Sequence, residues 1–345
     1  MNPKKIILCG WKGYIGYALT QRLINSGYSI IGIDNNLREK SVNRQNSISA
    51  TTIDTISLET HPNFNNCTLD ISKDYEDLKS VFRDFIPDVV INLAGENIAG
   101  GFWTKTQKNK LMNSRIMSVR RIVQAMGAMN ERPKVFLSAS AIGFYGNRGD
   151  EELNETSSEG AGFLSQICQS WENEITKSND LGIRTVICRL GMVLGHDGGA
   201  LEKIIPAFKL GVGGKLGDGS QWMSWIHIND LSNMLIHAID ESSVNGIYNA
   251  VSPNPVINRE FTKILGKVLK RPTIFPVPHF LLKIALGELS DLLLGSQMVI
   301  AQKIIDTGFE FQYPQLEEAL REVCGHSHHE NNIEQWVPQS SEKTW

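Results

Sequence analysis

Residues 4–23, KKIILCGWKGYIGYALTQRL, decide the fold. Ile6, Ile7, Leu8 and Cys9 form an apolar run short enough to be a buried parallel strand. Glycines follow at Gly10, Gly13 and Gly16, and Tyr17 to Leu23 reads as the opening of a helix. Strand, glycine loop and helix together make the setting of a dinucleotide-binding loop. The first glycine permits the tight turn, the second lets backbone approach a pyrophosphate, and the third lets helix pack on strand. The pyrophosphate would rest on the N–H groups around Tyr14, Ile15 and Gly16, at the positive end of the helix.

With 345 residues the chain can bury a large core as one or two domains. Its formal net charge of −3 at pH 7 supplies no strong single-sign field, so neither nucleic acid nor a membrane surface is expected as a partner. Residues 280–294 are the longest apolar candidate, but Lys283, Glu288 and Asp291 interrupt them, so no membrane span is expected. The start MNPKK leaves no room for a signal peptide before the first strand. The five cysteines lack CxxC spacing, which fits reduced thiols in a cytoplasmic protein. Cys324, His326, His328 and His329 cluster near the end without a complementary set elsewhere, so no metal site is expected.

Tyr28 to Ile33 reads as a second strand, ending in Asp34. That acid lies 18 positions after Gly16, where a carboxylate accepts from ribose hydroxyls and repels a 2′-phosphate. Asp34, with Asn35 beside it, therefore favours NAD, while Lys12 keeps NADP open. A weak strand is expected around residues 51–56 and another at 67–71, with Asp70 and Ile71 placed to meet the adenine. A one-faced helix over 75–85 leads to DVVINLA at 88–94, so that Leu93, Ala94 and Gly95 sit at a strand's carboxyl end. Helices at about 106–129 and 162–178 alternate with strands at 135–137 and 184–189, and the first of these strands delivers Ser138 and Ser140. The pattern specifies an α/β, Rossmann-type doubly wound parallel sheet, whose ligands collect at carboxyl strand ends. The expected organisation is a nucleotide domain over 1–250, a small, mostly helical substrate-side domain over 251–323, and a tail from 324 to 345.

These pieces resemble the extended short-chain dehydrogenase/reductase superfamily. More narrowly, the chain is similar to its epimerase family proteins, the subgroup of nucleoside-diphosphate-sugar epimerase type with a small C-terminal domain. The narrower likeness rests on AGENI at 94–98, Ser114-Arg115, SASAIGFYG at 138–146, CQSWE at 168–172, RLGMVLG at 189–195 and the stretch over 286–320. The tail over 333–345 is similar to the opening of a helix-grip module to which the subgroup is sometimes fused. The resemblance implies NAD(P) as cofactor, a small polar or nucleotide-linked substrate, and Arg189 beneath the pocket.

That superfamily works with a Tyr-x-x-x-Lys pair on the helix after the serine strand. Here the helix reads GFLSQICQSWENEI. If Glu172 takes the glutamate that follows the lysine by four residues, Cys168 occupies the lysine position and Leu164 the tyrosine position. Shifting by four puts Cys168 at the tyrosine and Glu172 at the lysine, and neither register recovers the pair. Leucine carries no proton, and an unassisted thiol is no equivalent of an activated phenol. Ser140 and Tyr145 are the remaining candidates for orienting a carbonyl and donating a proton. Glu96, Arg115, Trp171 and Trp225 are candidate pocket residues, and His227 reads more simply as a strand-end histidine bonded to backbone. The function expected is an NAD(P)-dependent oxidoreductase or epimerase with an atypical site. The competing reading is a dinucleotide-binding regulator without turnover. The partners expected are a small molecule and at most a second copy of the chain.

Overall fold

The computed structural model describes residues 3–35, 58–196 and 198–325. The first half alternates strand and helix: β1 (Lys5–Cys9), α1 (Tyr14–Asn25), β2 (Ser29–Asp34), β3 (Phe64–Thr68), α2 (Tyr75–Phe85), β4 (Val89–Asn92), α3 (Lys105–Gly127) and β5 (Val135–Ala141). A two-residue β6 (Glu152–Leu153), α4 (Phe163–Thr176), β7 (Arg184–Leu190), β8 (Met192–Leu194) and α5 (Leu201–Lys209) follow. Next come β9 (Trp222–Met223), β10 (Trp225–His227), α6 (Ile228–Asp240) and β11 (Gly246–Ala250). The rest is mainly helical: β12 (Val256–Ile257), α7 (Asn258–Leu269), α8 (His279–Leu286), α9 (Asp291–Leu294), β13 (Met298–Val299), α10 (Gln302–Ile305) and α11 (Leu316–Val323).

Seven strands form one parallel sheet in the order β11-β7-β5-β4-β1-β2-β3. The winding reverses between β1 and β4, which opens a crevice at their carboxyl ends. Alternation along each strand explains the continuous apolar runs. Ile6, Leu8, Ile30, Val89, Ile91, Val135 and Leu137 join one buried layer with residues of α1 and α6. Ile7, Cys9, Ile33, Val90 and Phe136 join the other, with residues of α2, α3 and α4. Both faces are covered, as a parallel sheet requires.

The third strand begins earlier than the expected 67–71, at Phe64, whose ring packs against Trp11 at 4.8 Å and whose partner on β2 is Ile30. The weak strand expected at 51–56, the histidines from 326 on and the tail over 333–345 lie outside the described residues. All five cysteines are free. At the outer edge, β11 is closed by side chains. Glu155 Oε1 accepts the Asn249 N–H at 2.8 Å, and Lys303 Nζ donates to the Ile247 carbonyl at 2.7 Å, over the Tyr248 ring.

The helical region has its own core around Leu194, Phe208, Phe261, Leu265, Leu316 and Leu320. Trp225 belongs to that core, fully buried, with its indole N–H on the Asn254 carbonyl at 3.0 Å. It is an anchor between β10 and the following loop, which corrects the expectation of a pocket wall. Asp230 accepts the N–H groups of Gln312 and Tyr313 at 2.7 and 2.9 Å, tying the last loop to α6. His227 Nδ1 accepts the Asn229 N–H and caps α6, while Nε2 meets Glu322 Oε2 at 2.8 Å. The backbone contact expected for His227 is thus joined by a carboxylate from α11.

Burial alone would raise the Glu322 pKa, but hydrogen bonds from His196 and His227 outweigh it and bring it down to about 2. A depressed carboxylate contributes stability that is complete above its unfolded pKa of about 4.5 and fades as pH falls toward 2. Thermal melts across that window should therefore fall more steeply for the wild-type protein than for Glu322→Gln. Parallel slopes would refute the assignment.

Candidate functional site

The glycine loop is built without room for side chains. Gly10 has φ +87°, and a Cβ there would lie 2.7 Å from the Ala94 nitrogen and 2.8 Å from the Leu93 carbonyl carbon. A Cβ on Gly16 would strike the Gly10 carbonyl, so α1 lies directly against the turn. The Gly10 N–H bonds the Ile33 carbonyl at 2.8 Å, and the Gly13 N–H bonds Gly10 at 3.1 Å. Gly13 caps α1 without any side-chain oxygen, and no acid lies in the helix's first turn. The positive end of α1 thus has neither a side-chain cap nor a first-turn carboxylate to balance it. The Tyr14 ring packs on the loop after β8, where a Cβ on Gly198 would collide with it.

Asp34 is buried and turned inward. Its oxygens accept the N–H groups of Lys12 at 3.0 Å and Asn35 at 2.9 Å, which braces the glycine loop. Asp70 closes the turn into α2: Oδ1 accepts Ser72 N–H and Oγ, and Oδ2 pairs with Lys73 at 2.9 Å. Burial opposes it, but the Ser72 and Lys73 hydrogen bonds hold Asp70 below the usual carboxylate range. Ile71 beside it is buried. Asn92, at the end of β4, accepts the Ala94 N–H at 3.2 Å and donates to Ser138 Oγ at 3.1 Å, fixing the Leu93–Gly95 turn to β5. Arg115 lies against Gly95, donates to the carbonyls of Leu111 and Glu96, and sits over the Trp171 ring at 5.3 Å. The Glu96 carboxylate takes Lys110 at 3.0 Å. Trp171 is buried, and its indole N–H has no partner among the described residues.

Ser140 and Tyr145 are brought together, but as parts of a buried network. Ser140 Oγ donates to Glu172 Oε1 at 2.6 Å. Arg189 grips the same carboxylate twice, Nε to Oε1 at 2.9 Å and Nη2 to Oε2 at 2.8 Å. Its Nη1 donates to Tyr145 OH at 2.9 Å, and the Tyr145 hydroxyl donates to Asn249 Oδ1 at 2.7 Å. The guanidinium also lies 3.5 Å from the Phe144 ring centroid. Ser140, Tyr145, Glu172, Arg189 and Asn249 are all buried. Burial, partly offset by Arg189 and Asn249, pushes the Tyr145 phenol up. Neither hydroxyl presents a free oxygen at the crevice, and Arg189 faces this network.

The two helix positions on which the registers place the superfamily tyrosine, Leu164 and Cys168, lie in apolar surroundings. Leu164 is partly buried against the cluster of Trp103, Leu111 and Ile167. Gly143 approaches closely enough that a Cβ there would lie 3.2 Å from the Leu164 Cβ and 3.8 Å from Cys168 Sγ. Burial pushes the Cys168 thiol up to about 12. The resemblance pointed to Glu172 and to the run that begins at Asn92, whereas nothing marked Asn249 as a partner of Tyr145.

A reversed parallel sheet with a sterically closed glycine loop at its switch point defines a Rossmann-type protein. The chain belongs to the NAD dependent epimerase/dehydratase family, whose pattern matches residues 6–250. Residues 277–323 match a domain of unknown function, DUF1731. Among relatives, the chain is 39% identical over 236 residues to the chloroplastic epimerase family protein SDR39U1 homolog of Arabidopsis thaliana, covering 68% of this chain and 67% of that one. It is 30% identical over 323 residues to epimerase family protein SDR39U1 of Mus musculus, covering 92% and 99%. The crystal structure of human SDR39U1 with NADPH superposes with a TM-score of 0.77 at 27% identity, covering 94% of this chain and all of that one.

Proposed function

We propose that this protein holds an NAD(P) dinucleotide at the carboxyl ends of β1, β2 and β4, and that it does not run the Tyr/Lys proton relay of sugar-nucleotide epimerases. The observation that carries the first part is the glycine cradle, in which a Cβ on Gly10 would meet the Ala94 backbone beside an α1 terminus free of side-chain caps. Gly10, Gly13 and the N–H groups opening α1 would take the pyrophosphate, and the Leu93–Gly95 turn would wall the site. A bound dinucleotide supplies hydride chemistry, and the chain's own part is to seat and orient it. Asp34 has both oxygens on backbone N–H groups, which weakens its repulsion of a 2′-phosphate. NADPH should therefore bind at least as tightly as NADH in a fluorescence titration, and a tenfold preference for NADH would refute this.

The second part rests on Leu164 within an apolar cluster and on the engaged hydroxyls of Ser140 and Tyr145. Ser140→Ala and Tyr145→Phe should each cost about 1–3 kcal/mol of stability, because each strips a partner from a buried polar group. Both should keep wild-type dinucleotide affinity. Turnover abolished in both, with stability intact, would restore them as catalytic residues.

A second reading, an oxidoreductase acting on a small polar or nucleotide-linked substrate, is favoured by Arg115 and Trp171. A guanidinium beside Gly95 and a buried, unpartnered indole N–H suit an acidic ligand group there. Absorbance at 340 nm with NADPH across carbonyl and sugar-nucleotide panels separates the readings: Arg115-dependent oxidation supports the second, and none supports the first.

A further inference from the structure

Between Phe261 and Gly287 the chain carries Lys263, Lys267, Lys270, Arg271 and Lys283 and no aspartate or glutamate. The net charge of −3 hides this local excess. Lys267 is paired with Glu317 at 2.8 Å, but the other four are exposed and stand outside the described ion pairs. The acids at the margin are Glu260, exposed one residue before Phe261, Asp218, close to His279 and Lys215, and Glu288, which Lys108 holds.

The same segment exposes large apolar side chains. Ile274 and Phe275, between Pro272 and Pro276, are 75% and 68% exposed. In α8 the sole buried residue is Leu282, while Phe280 and Ile284, two positions to either side, are 61% and 78% exposed. Two helical positions are about 200° of rotation, so the face turned away from the core is the apolar one, the reverse of an ordinary surface helix. Leu210 and Val212 extend the patch. Their turn is joined to the same ridge, since the Val277 N–H bonds the Lys215 carbonyl and the Gly217 N–H bonds Val277, both at 2.8 Å.

We propose that this ridge docks the protein on an anionic lipid bilayer. Ile274, Phe275, Phe280 and Ile284 enter the headgroup–acyl boundary, and Lys263, Lys270, Arg271 and Lys283 meet the headgroup charge. A second copy is disfavoured, because a two-fold contact would bring one cationic patch against another of the same sign. The apolar side chains stand proud, which suits insertion into a fluid interface. No helix among the described residues is long and apolar enough to cross a membrane, so the attachment is to the surface. On this proposal the local cluster, rather than the net charge, decides the partner.

Co-sedimentation of the full chain with vesicles of phosphatidylcholine, alone or mixed with phosphatidylserine, tests the proposal. The protein should pellet with the mixed vesicles, be released by salt, and stay in solution with the neutral ones. Lys270→Glu with Arg271→Glu should weaken binding at least ~25-fold, from about fivefold per cation lost. Ile274→Ser with Phe275→Ser should abolish it, with melting temperature and NADPH affinity unchanged in both variants. Equal pelleting with the two vesicle types, or full binding by the Ser variant, would overturn the proposal. So would a dimer in sedimentation velocity that the Ser variant splits, which would assign the ridge to a second copy.

Discussion

Gly10→Ala is expected to cost both the nucleotide and a large part of the fold's stability. The φ of +87° puts any L-residue in the left-handed region, at about 1–2 kcal/mol. The added methyl must also displace the backbone of Leu93 and Ala94, whose N–H groups are held by the Cys9 carbonyl and by Asn92 Oδ1. Gly27 is the matched control: it has φ +84°, but nothing lies within 4 Å of its Cβ position. Gly27→Ala should lose only the strain, while Gly10→Ala should lose more than twice as much in chemical denaturation. NADPH affinity should fall more than tenfold at Gly10 and stay unchanged at Gly27. Equal losses at the two sites would mean that the contact with Ala94 is not what holds the loop.

Arg189→Met should be more damaging still. It leaves Glu172 as a buried charge without its cation and takes a donor from Tyr145, and breaking such a pair on one side costs about 3–5 kcal/mol. The double variant Arg189→Met with Glu172→Leu should recover much of that loss, because no unpaired charge remains. Ser140 and Tyr145 would still each lack one partner, so recovery should stop about 1–2 kcal/mol short. Additive losses in the double-mutant cycle would show that the two residues act independently.

The fold was legible because parallel strands buried on both faces read as unbroken apolar runs, and because glycine spacing records where backbone must approach backbone. The spacing marked Gly10 as a tight turn, and the structure adds that it lies directly against the turn at Leu93–Gly95. The candidate catalytic residues were less legible for a physical reason. A serine at a strand end and a tyrosine after it look alike whether their hydroxyls face a crevice or a buried guanidinium. The deciding partners, Glu172 and Asn249, lie 32 and 104 residues away in the chain. The partners that Asp34 and Asp70 take within the chain were not legible either, since a carboxylate that suits a ribose or an adenine also suits a backbone N–H. Trp225 shows the same limit, because an aromatic at a strand end fits a pocket wall or a core anchor equally well. The overall charge concealed the cationic ridge because it sums over a surface on which position matters.

The side-chain closure of β11 has a consequence for assembly. An exposed parallel edge strand is a template on which a further strand, from a neighbour or an unfolded chain, can grow. Glu155 holds the Asn249 amide and Lys303 holds the Ile247 carbonyl, so an incoming strand would first have to evict a carboxylate and an ammonium from their hydrogen bonds. The sheet ends there by competition for its own hydrogen bonds. Oligomers or aggregates built by extending the sheet past β11 are thereby blocked at their first step.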